Sequence, residues 1–206
     1  MPKIILTPDA SGAFAKALAE VRACRLCAAD LPFEPRPVVH ARPEARLLVL
    51  SQAPSTKVHE TGLSFNDRSG DRLREWLGMT REAFYGNPRF GVLGMGFCYP
   101  GRDAHGGDKP PMKICAPTWH PVLRPLLPRV ELSLLVGQYA QAYYLGRRRK
   151  LSLTATVRAW RDYMPEFLPL PHPSWRNIFW LKQNPWFERE VLPELRRHVK
   201  RLLAPA

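Results

Sequence analysis

Four short apolar runs, separated by segments with helical spacing, constrain the fold of this chain more than any other feature. The runs are RLLVLS at 46–51, FGVLGMGF at 90–97, LSLLVG at 132–137 and EFLPLP at 166–171. Their length and their polar or proline-rich boundaries predict buried strands, the last one at a strand end or an edge. Helical patterns surround them at 11–27, 70–77, 111–127, 138–145, 153–164 and 185–203. This alternation predicts an α/β fold, a three-layer α/β/α sandwich with a central, mainly parallel four-stranded sheet.

Each predicted strand runs into a segment of polar or turn-forming residues. In a parallel sheet with helices on both faces, ligands bind beyond the carboxyl ends of the strands. The segments at those ends are SQAPS at 51–55, FCYPG at 97–101, GQYA at 137–140 and HPSWRN at 172–177. We therefore expect the functional site where these segments meet, within one domain that spans residues 1–206.

The charge balance favours a polyanionic partner. The chain has 31 Lys and Arg residues against 18 Asp and Glu, a formal net charge of +13. Nucleic acid is the leading partner, although basic proteins also bind membranes and ribosomes. No run approaches the roughly 20 apolar residues that span a bilayer, and residues 1–14 lack the apolar stretch of a secretion signal. We expect no membrane partner and a cytoplasmic, nucleoid-associated location.

The chain has four cysteines, and their chemistry depends on this location. Cys24 and Cys27 form a Cys-x-x-Cys pair near the N-terminus, and Cys98 and Cys115 follow much later. Lasting disulfides are rare in the cytosol, so four cysteines there indicate either a metal site or buried thiols.

Three motifs in order resemble those of the uracil-DNA glycosylase superfamily. LLVLSQAPSTKVHETGLSFNDRSG at 47–70 is similar to its first motif, an apolar strand followed by Gly-Glu-Ala-Pro-Gly and then Gly-x-Pro-Phe. LPHPSWRN at 170–177 is similar to its His-Pro-Ser motif, and LLVGQYAQAYYLG at 134–146 resembles its strand-to-helix turn. The cysteine spacing resembles the iron-sulfur type called family four, and the tail of the His-Pro-Ser loop resembles the single-strand-selective branch.

The resemblance implies a monofunctional DNA repair glycosylase of base excision repair. Such an enzyme flips deoxyuridine out of single- or double-stranded DNA and hydrolyses the N-glycosidic bond, which leaves an abasic site. We expect it to act as a monomer. The two rivals are a non-catalytic nucleic-acid-binding relative and an unrelated metal-bearing hydrolase of free nucleotides.

The same resemblance implies the residues of the active site. His172 is expected to donate to uracil O2, where negative charge develops in the transition state. Gln52 stands in place of the usual Glu, and His59 and Glu60 are the candidates for positioning the attacking water. Phe65 is expected to stack on the base, the alternative being an ordinary core residue. The remaining residues expected to contact the substrate are Ala53, Pro54, Ser55, Gly94 and Ser174.

Two positions depart from the family pattern. Ala53 occupies the place where some branches carry a water-orienting Asp. Gly94 occupies the place of the Asn that reads uracil in the iron-sulfur branch. These departures predict that another side chain positions the water and that base specificity is broadened or shifted.

The resemblance also implies DNA-binding and metal-binding residues. Arg176 is expected to wedge into the space left by the flipped base, and Trp175 either stacks on a neighbouring base or packs under the last helix. Asn177 and Lys109 complete the expected DNA contacts, and GRRRK at 146–150 is either a phosphate site or a solvated turn. Cys24, Cys27, Cys98 and Cys115 are expected to hold a [4Fe-4S] cluster, with zinc or free thiols as alternatives.

Overall fold

The computed structural model describes residues 8–104 and 106–204, and it contains a central sheet in the order β2-β1-β3-β4. Every neighbouring pair of strands is parallel. The strands are β1 (Leu47–Ser51), β2 (Phe90–Gly94), β3 (Leu132–Val136) and β4 (Phe167–Leu170). All four predicted strands are confirmed, and the sheet is wholly rather than mainly parallel.

Helices surround this sheet. They are α1 (Pro8–Ala23), α2 (Thr56–Thr61), α3 (Arg68–Leu77), α4 (Arg81–Gly86), α5 (Cys115–Leu123), α6 (Gln138–Leu145), α7 (Leu153–Arg158), α8 (Ile178–Gln183) and α9 (Leu192–Leu203). The six helical patterns in the sequence correspond to α1, α3, α5, α6, α7 and α9. The other three have six residues each and stand without a neighbouring helical turn in the predicted patterns. α7 is equally short, but its pattern extends over 153–164 because a 3-10 helix, Trp160–Tyr163, follows it. Residues 1–7, half of the segment in which we expected no secretion signal, lie outside the described residues.

Alternate residues of each strand face two separate cores. Leu47 and Val49 of β1 belong to a core with α3 and α9, whereas Leu48 and Leu50 belong to a core with α1, α5 and α6. Because successive side chains of a strand point to opposite faces, both faces of the sheet are covered by helices. This arrangement confirms the three-layer α/β/α fold. No helix among the described residues is both long enough and apolar enough to cross a membrane.

The strand β2 ends three residues before the predicted run does, for a steric reason. The backbone turns so sharply after Gly94 that the carbonyl oxygen of Gly96 occupies the place of a Cβ on Gly94. The turn carries the chain from the sheet to Cys98, and only a residue without a side chain fits at its start.

Candidate active-site cleft

A broad cleft lies at the carboxyl ends of the strands, where the sequence predicted the site. Its walls come from the segment after β1, the end of β2, the first residue of α6 and the loop after β4. Two further segments, one at the start of α3 and one before α5, close its sides. The lining includes Gln52, Ala53, Pro54, Ser55, Phe65, Asp67, Gly94, Asp108, Gln138, His172, Ser174, Trp175, Arg176 and Asn177.

Phe65 lies at the base of the cleft in an unusual backbone conformation. Its φ is 56°, in the left-handed region, and its ring is 8% exposed and packs edge-to-face against Phe84. Two contacts hold this conformation: Arg74 Nη1 donates to the Phe65 carbonyl at 3.1 Å, and Gly70 lies so close to that carbonyl that no Cβ fits. Phe65 is therefore both a core residue and part of the cleft wall, in a conformation typical of functional sites.

Asp67 begins α3 and has both carboxylate oxygens fixed. Oδ1 accepts from Gly70 N at 2.9 Å as the N-cap of the helix, and Oδ2 accepts from Ser55 Oγ at 2.5 Å. The Ser55 hydroxyl also caps α2 by accepting from Val58 N. One rotamer of Asp67 is thereby held in the cleft, with one lone pair of each oxygen still free for a substrate group. No role for this residue was predicted from the sequence.

His172 follows β4 and faces the same cleft. Gly137, directly after β3, has a φ of 83°, which favours glycine, and a Cβ there would be in ordinary van der Waals contact with the His172 Cβ at 3.4 Å, so the two residues are neighbours. Asn177 Nδ2 donates to the His172 carbonyl at 2.7 Å and holds its backbone. Burial lowers the pKa of His172 to about 4, and the nearby Asp67 opposes that decrease. The imidazole is therefore neutral at pH 7, with an N–H to donate.

A second carboxyl group, Asp108, enters the cleft from the segment before α5. Burial raises the pKa of Asp108 and the negative charge of Asp67 adds to this increase, while Arg102 and Arg176 oppose it. The cleft therefore has two carboxyl groups close enough to influence each other. Asp67 lies within the first motif, at 47–70, but was not assigned a role there, and Asp108 lies outside the three motifs.

Two other cleft residues are fixed by the backbone around them. Gln52 Nε2 donates to the Lys109 carbonyl at 3.3 Å, which joins the segment after β1 to the segment before α5. A Cβ on Gly96 would lie 3.5 Å from the Ala53 Cβ and 3.1 Å from the Pro111 Cβ. The cleft floor is thus built by close contact between backbone segments.

Three of the expected site residues are absent from the cleft lining. His59 stacks on Phe33 with 5.2 Å between ring centroids, and Glu60 forms a surface ion pair with Lys57 at 3.3 Å. Both lie on the short helix α2, which directs them away from His172 and Phe65. The Lys109 side chain is also outside the lining, and its backbone oxygen makes the contact with Gln52.

The loop after His172 forms the outer rim of the cleft. Trp175 is 65% exposed, so the alternative that it packs under the last helix is wrong. The Arg176 guanidinium lies 5.7 Å from the centre of the Trp175 ring and against the backbone of Gly107. Ser174 Oγ accepts from Arg176 N at 3.3 Å. The rim thus presents an aromatic and a cationic side chain to solvent.

The four cysteines line a separate, largely apolar pocket. They come from the end of α1, the turn after β2 and the start of α5, and none forms a disulfide. Phe97 N donates to Cys115 Sγ at 3.3 Å. Burial raises the pKa of Cys98 to about 11 and that of Cys115 to about 12, and the other cysteines add to each increase. Within residues 8–104 and 106–204, no three His, Cys, Asp or Glu side chains are placed to hold a single metal ion.

The basic segment at 146–150 lies at the other end of the sheet. Arg148 packs over the ring of Phe167, the first residue of β4, and its carbonyl accepts from Tyr163 Oη at 2.9 Å. Lys150 pairs with Asp162 at 2.8 Å. Because the cleft is at the carboxyl ends of the strands, this segment is not part of it.

Comparison with known proteins gives a family match and a set of similar solved structures, one of them an NMR structure. The sequence model of the uracil DNA glycosylase superfamily matches residues 39–196. A solution NMR structure of a protein from Methanosarcina acetivorans, named as a candidate uracil DNA glycosylase, is 18% identical to this chain. That match covers 78% of this chain and 94% of the other, with a TM-score of 0.43.

Proposed function

This chain belongs to the uracil DNA glycosylase superfamily, and we propose that it is a monofunctional glycosylase that hydrolyses the N-glycosidic bond of deoxyuridine in DNA. The observation that carries the proposal is the convergence of an aromatic ring, a neutral imidazole and a fixed carboxylate in one cleft. Phe65, His172 and Asp67 supply these groups. The proposed product is DNA with an abasic site, the starting point of base excision repair.

Base flipping explains why the cleft is wide and polar. The glycosidic bond is hidden in stacked DNA, so the nucleotide must leave the stack at a cost of a few kcal/mol. Stacking of the base on the accessible part of Phe65 offsets this cost. The neutral His172 donates a hydrogen bond to uracil O2 as the C1′–N1 bond breaks and its electron pair moves to the base, which stabilises the transition state more than the ground state.

Asp67 is suited to position the water. The carboxylate accepts a proton of the water as the oxygen bonds to C1′, and its charge also stabilises the positive sugar. Ser55 and the N-terminus of α3 hold its rotamer, so little reorganisation is needed. We assign this role to Asp67 rather than to His59 and Glu60, which lie outside the cleft lining.

Base selection is proposed to rest on Gln52 and on backbone groups. An Asn at position 94 would collide with the Gly96 carbonyl, so the usual uracil-reading side chain has no place here. Gln52 lies beside this position with its amide nitrogen already bonded to Lys109, which leaves its oxygen to accept from an N–H of the base. Bases related to uracil that share this N–H are expected to be substrates too.

A [4Fe-4S] cluster on the four cysteines is proposed as a structural cofactor. Its support is the donor set: all four cysteines of the chain, from three separate segments, line one apolar pocket, and thiolates are the ligands of such clusters. When bound, the cluster would link α1 to the turn after β2 and to α5. Glycosidic hydrolysis transfers no electrons, so the chain's own residues carry the reaction.

The rim of the cleft is proposed to hold the DNA strand of a monomeric enzyme. Arg176 would fill the gap left by the flipped base, Ser174 would bind a flanking phosphate and Asn177 would keep the loop in place. A non-catalytic DNA-binding relative is the alternative, and the missing Asp at position 53 and Asn at position 94 favour it.

The test is the release of uracil from labelled oligonucleotides. A single-stranded and a double-stranded oligonucleotide with one deoxyuridine, matched strands without it, and free deoxyuridine monophosphate are incubated with the protein, and alkaline cleavage reveals abasic sites. We expect cleavage at the deoxyuridine alone. DNA binding without cleavage would favour the non-catalytic relative, and action on the free nucleotide alone would favour a nucleotide hydrolase.

A further inference from the structure

Two largely buried serine hydroxyls line the cleft without a hydrogen-bond partner. Ser51, at the end of β1, and Ser64, directly before Phe65, are each 7% exposed, and both belong to the cleft lining. Across residues 8–104 and 106–204, neither hydroxyl donates to or accepts from another protein group. A buried polar group without a partner is unfavourable, so a ligand that covers these hydroxyls has to supply the partner itself.

The pleat of β1 directs the Ser51 side chain toward the base of the cleft. Leu47 and Val49 belong to the same core as Phe65, and Ser51 is the next residue along the strand that faces this side of the sheet. Ser51 is also the last residue of the strand. Its hydroxyl therefore lies on the Phe65 side of the sheet, at the edge where the cleft opens.

The neighbouring strand provides no side chain to bond the Ser51 hydroxyl. Ser51 pairs with Gly94, the last residue of β2, in the parallel register of the two strands. Paired positions direct their side chains to the same face of a sheet, and glycine has none. A larger residue at this position is excluded, because the Gly96 carbonyl oxygen fills the place of a Cβ on Gly94. The fold thus keeps the hydroxyl available to a ligand.

Ser64 is placed less favourably for contact with a base. It adjoins Phe65, the ring proposed to cover the face of the base, and its own carbonyl accepts from Tyr85 Oη at 3.0 Å. Ser51 adjoins Gln52, which is proposed to contact the edge of the base. The hydrogen-bonding atoms of a base lie on its edge, so the position of Ser51 favours it over Ser64.

We propose that Ser51 is a base-selecting residue, whose hydroxyl donates to the carbonyl next to the N–H that Gln52 accepts. In uracil this is the 4-carbonyl. His172 is assigned to O2 and Gln52 to the N–H at N3, so the 4-carbonyl is the polar atom of that edge still without a partner. The inference rests on the proposed function, because it requires a base in the cleft.

This contact defines a class of substrates. The accepted base has an N–H next to a carbonyl, so that Gln52 accepts from the first and Ser51 donates to the second. Cytosine has an unprotonated ring nitrogen and an amino group at the two places, so it offers neither the N–H to Gln52 nor the carbonyl to Ser51. Ser51 and Gln52, which are consecutive in the chain, would thus recognise adjacent atoms of the base.

The experiment compares uracil with 4-thiouracil in a single-stranded oligonucleotide. The thio base keeps the N–H at N3 and replaces O4 by sulfur, a weak acceptor. One set of strands has deoxyribose at the target, for single-turnover release of the base. A second set has fluorine at C2′, which slows breakage of the bond, so that fluorescence anisotropy measures affinity for an uncleaved target.

Four proteins are compared: the wild type, Ser51→Ala, Ser64→Ala and Ser133→Ala. Ser133 is a buried serine of β3 outside the cleft lining, so Ser133→Ala is the matched control. We expect the wild type to bind uracil more tightly than 4-thiouracil. Ser51→Ala should bind uracil about 5- to 100-fold more weakly, with little change for 4-thiouracil, so that the preference is lost. Ser64→Ala and Ser133→Ala should keep the preference.

Three results would overturn the proposal. One is the same ratio of uracil to 4-thiouracil affinity in the wild type and Ser51→Ala, and another is loss of the preference in Ser64→Ala instead. The third is equally weakened binding of both bases by Ser51→Ala, which would indicate a structural role.

The two sets of strands separate this inference from the proposed function. If the preference in binding depends on Ser51 but neither base is released, the Ser51 contact stands and the proposed function fails. If the wild type and Ser51→Ala release both bases at the same relative rates, the proposed function stands and the role of Ser51 fails.

Discussion

The cleft and the cysteine pocket lie on either side of the turn after β2. Charged side chains line the cleft, whereas the lining of the cysteine pocket is largely apolar. The cleft contains the charged Asp67 beside the neutral His172, with Arg68 and Arg102 in its walls. The cysteine pocket is lined almost wholly by apolar groups, and burial raises the pKa values of Cys98 and Cys115. Charged groups in an open cleft can act on a substrate, whereas soft sulfur donors in an apolar pocket are shielded from water. The residues proposed for catalysis and the cysteines proposed to stabilise the fold therefore lie in different parts of the structure.

The two regions share a backbone segment. Gly94 and Gly96 line the cleft, and Phe97 and Cys98, directly after them, line the cysteine pocket. This turn is therefore the segment where the two regions meet. Substitutions in the cysteine pocket are expected to change stability, whereas substitutions in the cleft are expected to change the rate of excision.

Replacement of a cysteine tests whether the cysteine pocket stabilises the folded protein. If the cysteines hold the proposed cluster, Cys115→Ser removes one of its ligands, so we expect the free energy of unfolding to fall by several kcal/mol. Excision should fall only in proportion to the unfolded fraction. Thermal unfolding and excision by the remaining folded protein are the measurements.

Metal analysis of anaerobically prepared protein is the accompanying control. A [4Fe-4S] cluster gives about four iron and four sulfide per chain. One zinc ion per chain would show that the cysteines hold zinc and not an iron-sulfur cluster. Unchanged thermal stability of the Cys115→Ser protein would contradict a stabilising role for the cysteine pocket.

Replacement of Asp67 tests the chemical role of the cleft. Asn is as good an N-cap as Asp, so Asp67→Asn should keep α3 and lose less than about 1 kcal/mol of stability. It removes the negative charge, and we expect the single-turnover rate of excision to fall about 10²- to 10³-fold. The matched control is Ser152→Asn, which changes the N-cap of α7 outside the cleft lining and should leave the rate unchanged. An Asp67→Asn rate within threefold of wild type would exclude Asp67 as the water-positioning group.

The buried His120 contacts Gly94, where the turn between the two regions begins, and its protonation is expected to affect stability. Its Nε2 lies 2.8 Å from the Gly94 oxygen and its Nδ1 lies 2.5 Å from Tyr144 Oη, and burial lowers its pKa to about 4. Between pH 6.5 and 4 the unfolded chain binds a proton that the folded chain does not, so folding stability falls as the pH falls through this window. This histidine contributes up to about 3 kcal/mol to that loss.

We expect His120→Gln to reduce the pH dependence of unfolding, measured by urea denaturation at pH 7, 6, 5 and 4. His172 should leave part of the dependence in place. The control is His198→Gln, on α9 beside Glu194. An identical slope for wild type and His120→Gln would show that His120 binds its proton equally in the folded and the unfolded protein, which would contradict a lowered pKa.

The basic segment at 146–150 provides the smallest expected effect. We expect Arg147→Gln with Arg149→Gln to change DNA affinity less than about twofold, because the segment lies at the opposite end of the sheet from the cleft. Arg68→Gln, within the cleft, should lower the slope of log affinity against log salt by about 0.7 to 0.9. A larger effect of the distant pair would place part of the DNA footprint outside the cleft.

The sheet and the place of the cleft were predictable because both follow from local patterns. A five-residue apolar run that ends in polar residues can be recognised without knowing its neighbours, and the rule for parallel sheets then places the ligand. The pairing of Phe65 with His172, which lie 107 positions apart in the sequence, was instead implied by the family resemblance.

The role of Asp67 was not predictable, because a capping Asp before a helix has the same sequence pattern whether or not it faces a ligand. His59 and Glu60 are close to Phe65 in sequence, but α2 turns them away, and a six-residue helix leaves no periodic signal. The exposure of Trp175 also depends on how the loop after His172 is held, with Arg72 of α3 donating to the Ser174 carbonyl, which no local pattern shows.

The most direct test of the central claim is the single-turnover rate of uracil release from a single-stranded oligonucleotide by the wild type and by His172→Ala. We predict a fall of about 10²- to 10³-fold in the variant, with DNA affinity and thermal stability close to those of the wild type. Equal rates for the two proteins would show that the bond is not broken in this cleft.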